Sequence, residues 1–86
     1  MVRNNQFSQE EVFHPGETLK DKLDEMSISV SVFSHECKCT EGVINDIISG
    51  RRDINQRLAE KFEDVLGISS YFWMSRQQEY NEYIKR

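Results

Sequence analysis

The chain has 86 residues, with 37% hydrophobic and 30% charged, enough for one small domain with a modest core that would gain from a dimer interface. Eleven Lys and Arg against fifteen Asp and Glu leave a net charge of −4. That balance excludes the broad basic field of a protein that coats nucleic acid without selectivity, though not a local basic strip. No apolar run approaches the ~20 residues of a membrane helix and no export signal opens the chain. Cys37 and Cys39 are separated by one residue and cannot staple a scaffold. A small cytoplasmic, reduced, helical module is expected, and size alone excludes most enzymes.

Residues 1–13 are polar without a sustained period and read as an N-terminal arm, on which Phe7, Val12 and Phe13 offer docking side chains. His14-Pro15-Gly16-Glu17 opens the first helix, because proline suits a first helical turn and Glu17 suits the positive end of the dipole. Leu19, Leu23 and Met26 then form one apolar stripe, predicting a helix over about 15–26. Ser29 is an N-cap for a second helix over about 30–37, with Val32, Phe33 and Cys37 apolar. The alternation from Ile28 to Phe33 also fits a strand, but no second strand exists to pair with it.

Thr40 caps a third helix with Val43, Ile44, Ile47 and Ile48 on its buried side; Ser49-Gly50 ends it, and Arg51-Arg52-Asp53 forms a charged loop. Asn55 caps a fourth helix, whose wide apolar face runs through Leu58, Ala59, Phe62, Val65 and Leu66 before Gly67 closes it. Ser69 or Ser70 caps a fifth, carrying Phe72, Trp73, Met74, Gln77, Tyr80, Tyr83 and Ile84. The expectation is an all-α, five-helix domain over residues 14–86.

The second and third helices have the spacing of a helix-turn-helix. Ser34 falls where the helices cross closely, the turn covers 38–40, and Ile44 and Ile47 fall where the third helix packs back on the second. Such a unit lays the N-terminus of its second helix in the DNA major groove and sets that of its first against a phosphate.

Longer motifs narrow this reading. His14-Pro15-Gly16-Glu17, Ile28-Ser29, Ile44-Asn45-Asp46-Ile47, Gly50-Arg51-Arg52-Asp53-Ile54-Asn55, Leu58-Ala59, Leu66-Gly67-Ile68-Ser69 and Phe72-Trp73-Met74, with Gln77 and Tyr80, cover most of the chain. In that combination the sequence resembles the HigA-type (VapI-type) antitoxins of the Xre helix-turn-helix family. The resemblance implies a five-helix, lambda-repressor-like domain that forms a homodimer. It also implies binding to a palindromic operator in its own promoter and neutralisation of a small RelE-like ribonuclease toxin. No cofactor or metal is implied.

Within that frame, Arg51 and Arg52 stand where phosphate clamps would sit, and Thr40 and Ser29 are caps whose helix ends can also hold a phosphate. Glu41, Val43 and Asn45 would face base edges, on two units about 34 Å apart in successive major grooves. Phe72 and Trp73 read first as core, and with Tyr80, Tyr83 and Ile84, which favour the role more, they are also candidates for the dimer interface. His35, Cys37 and Cys39 cannot converge on one ion from a continuous helix, so both cysteines read as small core hydrophobes. His14 is expected to shape the start of the first helix, not to act as a catalytic base. The overall acidity suits a basic toxin partner.

Four positions depart from the family's pattern. Val30 stands for a phosphate-reaching glutamine, Lys38 for a turn glycine, and Glu41-Gly42 for the usual basic or polar start of the reading helix. Over residues 28–57 four basic and four acidic residues balance. These departures keep a second reading in play, a helix-turn-helix fold retained as a protein-interaction module after loss of specific DNA binding.

Overall fold

The computed structural model describes residues 12–85 and folds them into five helices: α1 (Pro15–Glu25), α2 (Val30–Cys37), α3 (Glu41–Ile48), α4 (Gln56–Leu66) and α5 (Ser70–Ile84). Most of the proposed N-terminal arm, residues 1–11, lies outside the described residues. Every helix starts at a side-chain cap that satisfies an otherwise orphaned N–H: His14, Ser29, Thr40, Asn55 and Ser69. The C-terminus of α4 is closed by Gly67, whose φ of 76° is the left-handed conformation that glycine adopts without strain. The segment from Val30 to Phe33 is helical despite its alternation, and no strand lies among the described residues to pair with it.

α3 is wedged between α1 and α2; α4 packs on α2 and on α5, and α5 returns to α1. The centre is a run of aromatic rings. Phe62 lies 5.3 Å from Phe33 and 5.4 Å from Trp73, centroid to centroid, and all three side chains are fully buried. Tilted and edge-on pairs of this kind add about 0.5–1.5 kcal/mol each beyond the area they bury. Leu19, Leu23, Ile44 and Ile47 fill the space between α1 and α3.

Two expected core positions are not buried. Met26 is 45% exposed, because α1 ends at Glu25 and the chain turns at Ser27, φ 57°, which carries Met26 off the Leu19–Leu23 stripe. Val32 is 54% exposed; on a helix it lies about 140° from Cys37, off the arc that Phe33, Ser34 and Cys37 present to the core. Val43, Ile48, Leu58 and Val65 are half-buried at the edge of the core.

Candidate nucleic-acid interface

The turn between α2 and α3 is built on Lys38, which adopts φ 60° and ψ 41° and donates its N–H to His35 O. The Cys39 N–H reaches back to Ser34 O at 2.9 Å. Ser34 is buried, leaving room for the crossing of the two helices. The left-handed residue here is a lysine, at a cost of about 1 kcal/mol relative to glycine.

The two helix starts are prepared alike. Ser29 Oγ accepts from Val32 N and Thr40 Oγ1 from Val43 N, each at 3.1 Å. One N–H of each first turn is thereby satisfied, and the remainder stay available to an anion. Glu41, Gly42 and Asn45 are exposed on one side of α3, while Val43 is half-buried and Ile44 and Ile47 are fully buried on the other. The exposed edge of α3 can accept hydrogen bonds at Glu41 and both donate and accept at Asn45.

After α3 the chain doubles back. The N–H groups of Arg51 and Arg52 both donate to Asp46 O, at 2.8 and 3.1 Å, and the guanidinium of Arg51 pairs with the Asp46 carboxylate at 2.9 Å. Arg51 and Arg52 are both exposed. Arg51 therefore already has a partner within the chain, whereas no carboxylate among the described residues pairs with Arg52. Downstream, the loop is tied to the core by the Ile54 N–H, which donates to the buried Gln77 Oε1 at 2.8 Å. Asn55 Oδ1 then accepts from Leu58 N, also at 2.8 Å, to start α4.

The same loop is held from the other side by His14, a buried side chain at the start of α1. Its Nδ1 accepts from Gly16 N at 2.9 Å, and its Nε2 lies 3.1 Å from Asp53 Oδ1. With Nδ1 accepting, the neutral ring carries its proton on Nε2 and donates it to Asp53. Tyr80 meets the imidazole edge-on at 4.9 Å. The expected role of His14 at the start of α1 is present; its reach to Asp53 has no local signal, since 39 residues separate the two. Gln77 was legible as a helix position but not as the acceptor of a backbone N–H 23 residues away. Val12 and Phe13, from the expected docking segment, line a hollow with Tyr80, Ile48 and Gly50.

On α5, Trp73 has no exposed area and belongs to the core rather than to an outer surface of this fold. Phe72 and Tyr80 are half-buried, and Tyr83 and Ile84 are 37% and 58% exposed. Cys37 is buried beneath α4, where desolvation, then the neighbouring Cys39, pushes its thiol up to about 12. Among the described residues no three His, Cys, Asp or Glu side chains are grouped to hold a metal ion, and no helix is long and apolar enough to cross a membrane.

No family model matches the sequence. Solved structures do. The Pseudomonas aeruginosa antitoxin HigA, determined with the higBA promoter, superposes with a TM-score of 0.83 at 32% identity, covering 87% of this chain and 83% of that one. A Pseudomonas aeruginosa protein determined with its 18-bp operator DNA gives the same TM-score and identity, with 87% and 80% covered. Among curated proteins, virulence-associated protein A' of Dichelobacter nodosus is 29% identical over 69 residues. That match takes in 79% of this chain and 60% of the relative, so less than two thirds of the relative's length is represented.

Proposed function

This chain belongs to the HigA-type antitoxins of the Xre helix-turn-helix family, and from that premise we propose that it is a DNA-binding autorepressor. It acts as a homodimer on its own promoter and also neutralises a RelE-like ribonuclease toxin. The observation that carries the DNA-binding half is the attachment of the exposed Arg51–Arg52 loop to α3, both N–H groups donating to Asp46 O, beside a helix whose first turn is open and whose Glu41 and Asn45 are exposed. The relatives solved with operator and promoter DNA support the same role.

In this mechanism the Ser29 and Thr40 ends and the arginines take phosphates, and Glu41, Val43 and Asn45 read bases. Glu41 suits a cytosine amine, Asn45 an adenine edge, and Val43 a thymine methyl. Lys38 keeps the left-handed turn that the family builds with glycine, so this departure leaves the helix-turn-helix geometry in place. Tyr83 and Ile84 supply apolar surface for the dimer. The acidic remainder of the surface complements a basic toxin.

The test is fluorescence anisotropy on a duplex of the protein's own upstream region at about 50 and 200 mM salt, with a scrambled competitor and an Arg51→Ala/Arg52→Ala control. Selective binding that weakens with salt and with the double substitution is expected. A folded dimer without selectivity at low salt would overturn the repressor role and leave the protein-interaction module as the function of the fold.

A further inference from the structure

We infer that His14 is a positioning residue for operator binding, holding the Asp53 carboxylate away from the two arginines that precede it. The inference rests on the reading of Arg51 and Arg52 as phosphate contacts.

Asp53 follows Arg51 and Arg52 directly, and its side chain is 65% exposed, so packing does not fix its direction. Its Oδ1 is instead taken by His14 Nε2 at 3.1 Å. The donor is a rigid one. His14 is 6% exposed, its Nδ1 is committed to Gly16 N, and Tyr80 stands edge-on to its ring. Gly50, the residue before the arginines, lines the same hollow as His14. A buried imidazole fixed by Gly16 and Tyr80 thus directs an exposed carboxylate toward α1.

Without that donor, Asp53 turns freely beside two guanidinium groups. Arg51 already pairs with Asp46, so Arg52 is the cation most readily taken by a released carboxylate. A guanidinium paired within the chain competes poorly for phosphate, and the added negative charge repels the DNA backbone. The conspicuous His-Pro-Gly start of α1 thereby acts on the DNA side of the molecule through one hydrogen bond.

His14→Asn separates this role from capping. Asparagine can still accept from Gly16 N as a good N-cap, but is too short to reach Asp53. His14→Ser caps as well and serves if asparagine does not fold; a thermal scan checks either. On the upstream duplex, His14→Asn is expected to bind roughly three- to tenfold more weakly, with a salt slope shallower by about one, the mark of a lost phosphate contact. In an Asp53→Asn background, where no charge can be released, the same substitution is expected to cost less than about twofold. Unchanged binding by His14→Asn, or an equal loss in both backgrounds, overturns the inference while wild-type selectivity keeps the proposed function intact. A wild-type protein without selectivity refutes the proposed function, and this inference with it.

Discussion

The backbone of Gly16 lies directly against the carbonyl of Ile47, so closely that any side-chain carbon at position 16 would overlap it. α1 therefore meets the C-terminal end of α3 backbone to backbone, just where the chain leaves α3 for the Arg51–Arg52 loop. Gly16→Ala must push the two helices apart. A destabilisation of about 2–3 kcal/mol is expected from such overpacking, read as a lower denaturant midpoint at unchanged slope.

Lys38 tests the turn independently of DNA. Its φ of 60° is a left-handed conformation that side chains resist. Lys38→Gly is expected to stabilise the fold by about 1 kcal/mol, and Lys38→Val to destabilise it by at least as much. Urea titration of the two variants against wild type checks the sign of each.

The two arginines should not contribute equally. Asp46 holds Arg51 at 2.9 Å, so Arg52→Ala is expected to weaken operator binding more than Arg51→Ala. Asp46→Asn, which frees Arg51, should strengthen binding by about two- to fivefold. Anisotropy titrations at several salt concentrations measure both, and removal of a phosphate contact lowers the salt slope by about one.

Gln77 is a structural acceptor. Gln77→Leu leaves the buried Ile54 N–H without a partner, at a cost of about 1–3 kcal/mol. Faster hydrogen exchange at the Ile54 amide, alongside a lower Tm, is the expected signature.

Cys37 makes stability depend on alkaline pH. Burial raises its thiol from 9.0 to about 12, so between those values the unfolded chain has lost a proton that the folded chain retains. Fewer protons on the unfolded state means that stability falls as pH rises through this window. Cys37→Ala should flatten that part of the stability profile. Below it, Cys37 should resist alkylation in the folded protein, and Cys39, which is only partly buried, should react first.

Helix positions were legible because their causes are local. Ser29, Thr40, Asn55 and Gly67 each act within a few residues of the helix end they define, and the structure places those ends at the expected caps. Ser34, Ile44 and Ile47 were legible through spacing, as a helix-turn-helix allows little choice at a close crossing. Met26 and Val32 lie off the core although their pattern places them on it, because an apolar residue in an apolar pattern carries no mark of where its helix stops or which arc it faces.

The five helices, the caps at Ser29, Thr40 and Asn55, the short turn before α3 and the charged loop after it were readable along the chain, because each rests on near neighbours. The hydrogen bonds from Ile54 to Gln77 and from His14 to Asp53 became visible only with the helices packed. These depend on which helix faces which, and a hydrogen bond across 39 residues leaves no periodicity in either partner's neighbourhood. Packing brings such pairs together, and here it joins the start of the first helix to the loop that carries the arginines.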